Sequence, residues 1–356
     1  MTTMSGTDAA VNQEMERRVR RGLDRSYALA VERKYELRTG IDQARVVIFS
    51  DLHRGVRDSA DDFLRCEMAY SAALGYYLEA GYTLIVLGDA EELWECRPAP
   101  VVKAYRATLQ LEARFQKQNR YYRMYGNHDD FWEQEAGIIK LLGPIFGGPL
   151  PVRESLRILI EGGPTDACEF FLVHGHQGDF LSDQARTVSK FFVRYLWRPF
   201  QRLTKVKLTT PTTDSTLRDD LSIALYRWAE QKKGMVLIAG HTHLPVFESR
   251  DHMSRIEEQL ETAQTAGDGV KSAGLRAQLE SARAAMREQG GRRFSMQRPS
   301  YFNTGCCSFS DGDVTGIEIA DGMIRLVRWP DDAGDSRAKV LQEARVLDVF
   351  TAVTAP

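Results

Sequence analysis

Short apolar runs that stop on polar residues recur along this chain, and they set its architecture. Arg45-Val46-Val47-Ile48-Phe49-Ser50 ends at Asp51, and Tyr82–Leu87 ends at Gly88-Asp89. Tyr121–Tyr125 ends at Gly126-Asn127, Phe170–Val173 at His174, and Met235–Ala239 at Gly240-His241. Runs of that length, bounded by turn formers, predict buried strands. Leu156–Ile160 forms a second apolar run beside Phe170–Val173, and Ser300–Phe302 is a shorter one. Thr315–Ile319 and Met323–Trp329 flank Asp321-Gly322, a strong hairpin signal. Segments 61–80 and about 101–118 carry helical spacing. Strands alternating with helices, followed by late hairpins, predict an α/β sheet core.

The flanks read differently. From Asn12 to about Arg38 the chain is charged, with Met15, Val19, Leu23, Tyr27, Val31 and Tyr35 four apart, which predicts a helix with one narrow apolar stripe. Docking of that stripe on the body is the expected use, with a dimer or membrane contact as the alternative. Residues 1–11 are small and polar, and are expected to lack fixed structure. After Pro330 the charge is mixed and the pattern slight, so the tail receives no role. The resulting division is 1–40 for the N-terminal tail and helix, 41–330 for the body, and 331–356 for the tail.

Composition narrows the class. The chain has 356 residues, 27% charged and 43% hydrophobic, with a net charge of −2, an ordinary globular balance that gives no reason to expect nucleic acid. Five cysteines form no CxxC pair, which argues against a disulfide framework and fits a reducing compartment. No apolar run of signal-peptide length opens the chain, so the expected location is cytoplasmic.

The polar clusters carry the chemistry. Each follows a predicted strand, and ligands of α/β sheets bind beyond the carboxyl ends of strands. Six of the seven histidines, His53, His128, His174, His176, His241 and His243, fall in these clusters beside Asp51, Asp89 and Asn127. Buried, such groups would each demand hydrogen-bond partners. Gathered at one rim, imidazole, carboxylate and amide oxygen without thiolate suit Mn, Fe, Zn or Co. The set is too large for one ion and fits two, which together bind the oxygens around a phosphorus and activate a water.

The series Asp51-Leu52-His53, Gly88-Asp89, Gly126-Asn127-His128-Asp129, His174-Gly175-His176 and Gly240-His241-Thr242-His243 resembles the calcineurin-like metallophosphoesterase family, over about Val46 to Trp329. The resemblance implies a four-layer α-β-β-α sandwich and two divalent metal ions, Mn²⁺ foremost. It implies Asp51, His53 and His243 on the first ion, Asn127, His174 and His241 on the second, and Asp89 bridging. His128 would protonate or stabilise the leaving oxygen, with Asp129 orienting its ring. The implied reaction is hydrolysis of a phosphodiester or pyrophosphate bond by metal-activated hydroxide. Phosphomonoesterase or protein phosphatase activity is the alternative, and a non-catalytic scaffold or membrane-associated regulatory module lies further off.

Other residues bear on the substrate. Arg54 reads as a phosphate clamp or an exposed loop arginine, and His176 as a substrate contact or a group behind the ligands. Glu91, Glu92 and Trp94 are candidates to wall the cleft. An insertion at about 180–233 has seven basic and no acidic residue between Gln184 and Thr213, with Arg186, Lys190, Arg194, Arg198 and Arg202 every fourth position among bulky apolar side chains. That pattern fits a helical lid over an anionic, lipid-linked substrate, with Arg194 and Arg198 as contacts, or a surface held against anionic membrane. With Gly88-Asp89-Ala90-Glu91-Glu92-Leu93-Trp94, this insertion is similar to the UDP-2,3-diacylglucosamine pyrophosphatase branch. That branch commonly carries Arg where this chain has His128, a histidine typical of general phosphodiesterases and phosphatases of the family. A second insertion, about 251–298, is polar and charged, and is expected to form a solvated helical hairpin. Oligomeric state is left open.

Overall fold

The structure, a computed structural model, describes residues 6–165, 168–178, 215–249, 252–265, 267–269, 271–277, 279–280, 298–309, 311–331 and 337–355. The strands are β1 (Glu36–Gly40), β2 (Arg45–Phe49), β3 (Thr83–Leu87), β4 (Tyr121–Met124), β5 (Val152–Arg153), β6 (Ser155–Glu161), β7 (Glu169–Val173), β8 (Met235–Ala239), β9 (Tyr301–Asn303), β10 (Val314–Ala320), β11 (Met323–Trp329) and β12 (Lys339–Arg345). The helices that matter here are α1 (Gly6–Glu32), α2 (Glu67–Glu79), α3 (Pro98–Ala104), α4 (Arg106–Gln116), α5 (Glu135–Leu141), α6 (Gly143–Phe146), α7 (Ser215–Glu230), α8 (His252–Thr265) and α9 (Val346–Thr354).

Two sheets form the core, one of seven strands in the order β12-β11-β10-β2-β3-β4-β5 and one of five in the order β1-β6-β7-β8-β9. Period-two alternation decides what each strand residue meets. Val46 and Ile48 of β2 point into the layer between the sheets, where they join Ile158, Phe170, Leu172, Ile238 and Phe302 of the opposite sheet. Val47 and Phe49 point the other way and pack under Tyr70, Leu74 and Leu109 from α2 and α4. On the far side, Phe171, Val173 and Leu237 lie beneath Val19 and Leu23 of α1 and Leu225 and Trp228 of α7. Helix, sheet, sheet and helix stack as four layers. Both faces of each central strand are buried, which is why β2, β3, β7 and β8 read as continuous apolar runs.

The N-terminal helix ends at Glu32 rather than near Arg38. Lys34 turns left-handed (φ 52°), and the chain leaves as β1, parallel to β6. α1 docks through Tyr27, whose ring meets Phe171 edge-on at 5.3 Å and whose hydroxyl donates to Glu169 at 2.6 Å. Asp24 accepts from Trp228 Nε1 and Lys232 Nζ, both at 2.9 Å. Gly22 of α1 lies against the backbone of Gln177-Gly178, where a Cβ would meet Gln177 Cβ at 2.8 Å. The helix thereby rests on the loop that carries His174.

The segment after Pro330 is not a featureless tail. β12 pairs antiparallel with β11, and α9 buries Val346, Val349, Phe350 and Val353 in the layer between the sheets. Phe350 stacks at a tilt 4.9 Å from Phe170. In the second insertion, Ala263 of α8 contacts Leu275 and Leu279, a small apolar cluster separate from the main core. Among the described residues no helix is long and apolar enough to cross a membrane. Most of the basic insertion, Arg186 to Thr213 with Arg194 and Arg198, lies outside the described residues.

Candidate metal centre

β2, β3 and β4 run parallel in one sheet, and β7 and β8 run parallel in the other, so five strand ends deliver their loops to one rim. The loops after β2 and β3 lie side by side, with Asp51 N donating to Gly88 O (3.2 Å), His53 N to Asp89 O (2.9 Å) and Arg54 N to Ala90 O (3.1 Å). Asp51, His53, Asp89, His241 and His243 all adopt left-handed φ values between 49° and 66°. Such conformations cost a side-chain-bearing residue free energy and persist only where surrounding structure enforces them. Gly126 is required by proximity: a Cβ there would sit 2.2 Å from Asp89 Oδ1 and 2.6 Å from His174 Cδ2.

Three overlapping groups of side chains bring their ligand atoms within 4.8 Å of one another: Asp51, His53 and His243; His53, Asp89 and His128; Asp89, His174 and His241. Asp89 belongs to two of them. Its Oδ2 lies 3.0 Å from His174 Nε2 and 3.9 Å from His53 Nε2, between the two ends of the centre. His243 Nε2 stands 3.2 Å from Asp51 Oδ1 and 3.1 Å from His53 Nε2.

Hydrogen bonds at the far ring nitrogens fix the direction of the near ones. His174 Nδ1 faces Leu87 O at 2.8 Å, and His53 Nδ1 faces Glu92 Oε2 at 3.0 Å. Carbonyl and carboxylate oxygens only accept, so each Nδ1 carries a proton, and with a metal bound each ring would offer an Nε2 lone pair inward. Those lone pairs converge on carboxylates, an arrangement of acceptors that calls for a cation. Asn127 Oδ1 is buried without a hydrogen-bond partner. Orphaned polar atoms of this kind are costly unless a ligand satisfies them. The donor set therefore fits divalent metal.

The electrostatics agree. Burial disfavours the His174 cation, yet Asp89 and Asp51 outweigh it and push that histidine up to about 9. Burial likewise opposes charge on His243, and Asp51 raises it well above its ordinary value. Burial would raise the Asp89 carboxyl, but His174 and His128 hold it well below the usual range. A field that draws protons onto imidazoles also draws a divalent cation.

His128 sits at the edge of the centre. Its Nδ1 lies 2.8–2.9 Å from both oxygens of Glu92, and the Trp94 indole stacks on its face at 4.2 Å and 18°. Burial opposes the His128 cation, but Glu92 and Asp89 push it up to about 9. Here the structure corrects the sequence reading. Asp129 does not orient this ring. Its carboxylate accepts from the backbone N–H groups of Gly126 (2.7 Å), Asp89 (3.2 Å) and Ala90 (2.9 Å), clamping two loops together. Glu92, expected only as a cleft wall, is the partner of both His53 and His128.

Arg54 is corrected as well. It is neither a phosphate clamp nor an exposed loop residue, but fully buried. Its guanidinium binds Glu112 and lies 3.5 Å from Glu91. Arg123 binds Glu91 and lies 3.7 Å from Glu112, and Tyr70, Tyr121 and Trp132 donate to the same two carboxylates. This neutral quartet of two arginines and two glutamates stands directly beneath the loops of Asp51, Asp89 and Asn127. His176 is buried beside the centre, its ring 5.6 Å from His174 and 6.4 Å from His241, and it joins none of the three groups.

One supporting motif was missed. Ser50 Oγ binds Asp51 Oδ2 and Thr304 Oγ1, the latter at 2.6 Å, and Asn303 Nδ2 donates to Gly240 O at 2.7 Å. The run Asn303-Thr304-Gly305, polar residues directly after a short strand, was the available signal.

The sequence profile described as calcineurin-like phosphoesterase matches residues 44–245, more than half of the chain. No curated protein matches the chain by sequence. Among solved structures, it is similar to vacuolar protein sorting 29 from Cryptosporidium parvum, at 11% identity over 85% of this chain and 98% of that one. The TM-score is 0.33, too low to carry an argument. On the family profile and the ligand groups at the sheet rim, the chain belongs to the calcineurin-like phosphoesterase family.

Proposed function

We propose that this chain is a two-metal hydrolase of phosphodiester or pyrophosphate bonds. The observation that carries the reading is the pair of ligand groups, Asp51/His53/His243 and Asp89/His174/His241, with Asp89 lying between them. Asn127, with its orphaned Oδ1, completes the second group. Those residues would hold two divalent ions, Mn²⁺ first among the candidates, which would supply Lewis-acid charge to the phosphoryl oxygens and a water of lowered pKa.

The chain's own residues do the rest. Asp51 is oriented by Ser50 and by the backbone N–H of His241, which lies 3.0–3.1 Å from its carboxylate oxygens. His128, held between Glu92 and Trp94, keeps a proton available for the oxygen that leaves phosphorus. Glu92 ties that proton donor to the metal-ligand group through His53, so one carboxylate sets the position of both imidazoles. The basic insertion, by its sequence, favours an anionic and lipid- or nucleotide-linked substrate over a small phosphate ester.

The test begins with metal-stripped protein refilled with Mn²⁺, with metal counted per chain by mass spectrometry. It is then offered a simple phosphodiester, a simple phosphomonoester and a UDP-linked acyl sugar. Two ions per chain and preference for the diester or the pyrophosphate are expected, with Asp89→Asn losing both bound metal and turnover. A single ion in the wild type, or undiminished turnover in Asp89→Asn, sinks the two-metal reading. Preference for the monoester replaces the substrate class and leaves the centre intact.

A further inference from the structure

Helix α2 has a composition that its position does not explain. Between Glu67 and Glu79 it carries no charged residue, although it lies on the outside of the seven-stranded sheet. A surface helix ordinarily places charge on its outward face. Here the buried face is Ala69, Tyr70, Ala73, Leu74, Tyr77 and Leu78, while Met68 is 63% exposed, Tyr76 is 52% exposed and Ala72 is exposed. At 100° per residue, Met68, Tyr76 and Glu79 all fall within about 40° of Ala72. Gly75 borders the stripe with nothing within 4 Å of where a Cβ would stand. Arg65, exposed at the end of the preceding 3-10 turn Asp62–Arg65, lies one turn before Met68. Among the described residues nothing covers this face.

The order of residues along the stripe identifies its occupant. Arg65, Met68, Ala72, Tyr76 and Glu79 are symmetric in spacing about Ala72 and opposite in charge at the two ends. We infer that α2 packs against α2 of a second copy of this chain, antiparallel about a twofold axis at Ala72. In that arrangement Met68 meets the Tyr76 position of the other copy, Arg65 meets Glu79, and each contact is made twice, as an isologous interface requires. Ala72 and the open space over Gly75 let the two helix backbones approach closely. Beside the helix, the Tyr76 ring lies 5.6 Å from the buried Trp329 of β11, and Val340 of the neighbouring edge strand β12 is 51% exposed. An α2 pair is smaller than the ~800 Å² per partner of a standard interface, so the association is of the reversible, micromolar kind.

The experiment is sedimentation velocity with light scattering on the full chain, at about 100 µM and in tenfold dilutions, which brackets a micromolar Kd. The expected result is a concentration-dependent shift from the 40.3 kDa chain to twice that mass. Ala72→Arg and Glu79→Arg are each expected to weaken self-association at least tenfold, with metal content unchanged. Arg65→Glu combined with Glu79→Arg exchanges the two charges and is expected to restore it, an outcome that simple damage to the helix does not produce. A wild type that stays monomeric at the highest concentration overturns the inference. So does a dimer that Ala72→Arg leaves intact, or one that the double exchange fails to restore.

Discussion

Replacement of Arg54 by Met separates two roles for that residue, anion binding and internal support. Methionine fills much of the volume of the arginine stem, so the change removes charge with little cavity. Arg54 and Arg123 balance Glu91 and Glu112 inside a region that no solvent reaches. Without Arg54 the quartet carries one uncompensated negative charge. Glu91 keeps Arg123 and the Trp132 N–H at 2.7 Å, while Glu112 keeps the hydroxyls of Tyr121 at 2.7 Å and Tyr70 at 3.2 Å. Those hydrogen bonds soften the loss without neutralising it. Removing one partner of a buried pair costs about 3–5 kcal/mol. At about 2.1 cal/mol/K of unfolding entropy per residue, a chain of 356 residues loses roughly 1.3 °C of Tm per kcal/mol, so a fall of roughly 4–7 °C is expected. Arg54→Met with Glu112→Gln restores neutrality; Tyr70 and Tyr121 bond different oxygens of Glu112, so the amide keeps an acceptor for one hydroxyl and donates its NH2 to the oxygen of the other, and the pair should recover about half or more of the deficit, a coupling of at least ~1.5 kcal/mol. Urea unfolding followed by circular dichroism, at matched metal content, measures all three proteins. Arg54→Met within about 1 kcal/mol of wild type, with KM raised tenfold or more, would refute the argument and return Arg54 to phosphate binding.

Further outcomes follow from other parts of the molecule. His128→Ala is expected to retain bound metal while kcat falls by about 10²–10⁴, the usual worth of a positioned proton donor, and Glu92→Gln to move in the same direction; metal counting with steady-state kinetics decides, and unchanged turnover in His128→Ala removes the proposed acid. Burial, with Cys306 nearby, pushes the Cys66 thiol up to about 12, and all five cysteines are buried. Its unfolded value is about 8.5, so the protonated thiol's contribution to stability is complete below that pH and is lost as pH rises through about 8.5 to 12. A thiol-reactive dye at mildly alkaline pH should label no cysteine of the folded protein and all five in denaturant; rapid labelling of the folded form would contradict the packing. Phe350→Ala should cost about 3–5 kcal/mol in a urea titration, because its ring fills the layer between the sheets beside Phe170; a cost below about 1 kcal/mol would mean that α9 is dispensable.

The strands and the rim of ligands were legible because both obey local rules. A strand buried on two faces has to be apolar throughout, as in Arg45–Phe49 and Met235–Ala239, and polar residues immediately after it are left for chemistry. β1 and β12 escaped the same reading. They are edge strands, Glu36-Leu37-Arg38-Thr39-Gly40 and Lys339–Arg345, whose mixed composition reflects one unpaired side and partial exposure. The partner of His128 was misassigned for a different reason. Sequence adjacency favoured Asp129, whereas the loop geometry turns Asp129 toward backbone N–H groups and brings Glu92 across from the β3 loop. Arg54 shows the limit most clearly. Glu112 and Arg123 lie far along the chain, and nothing near Arg54 marks it as interior.

The position of β10 has a consequence in time. It lies between β2 and β11, pairing Ile317 with Ile48, and the loop just before it donates the Cys307 N–H to Asp51 O at 3.2 Å. On a ribosome adding about 5–20 residues per second, roughly 15–50 seconds separate the synthesis of Ile48 from that of Ile317. Through that interval β2, the strand that leads to Asp51, has no neighbour on one side. Asp51, the first candidate ligand of the centre, is thus among the earliest residues made and among the last to be locked. A nascent chain halted before residue 314 would hold every candidate ligand yet lack the strand that closes the sheet over them.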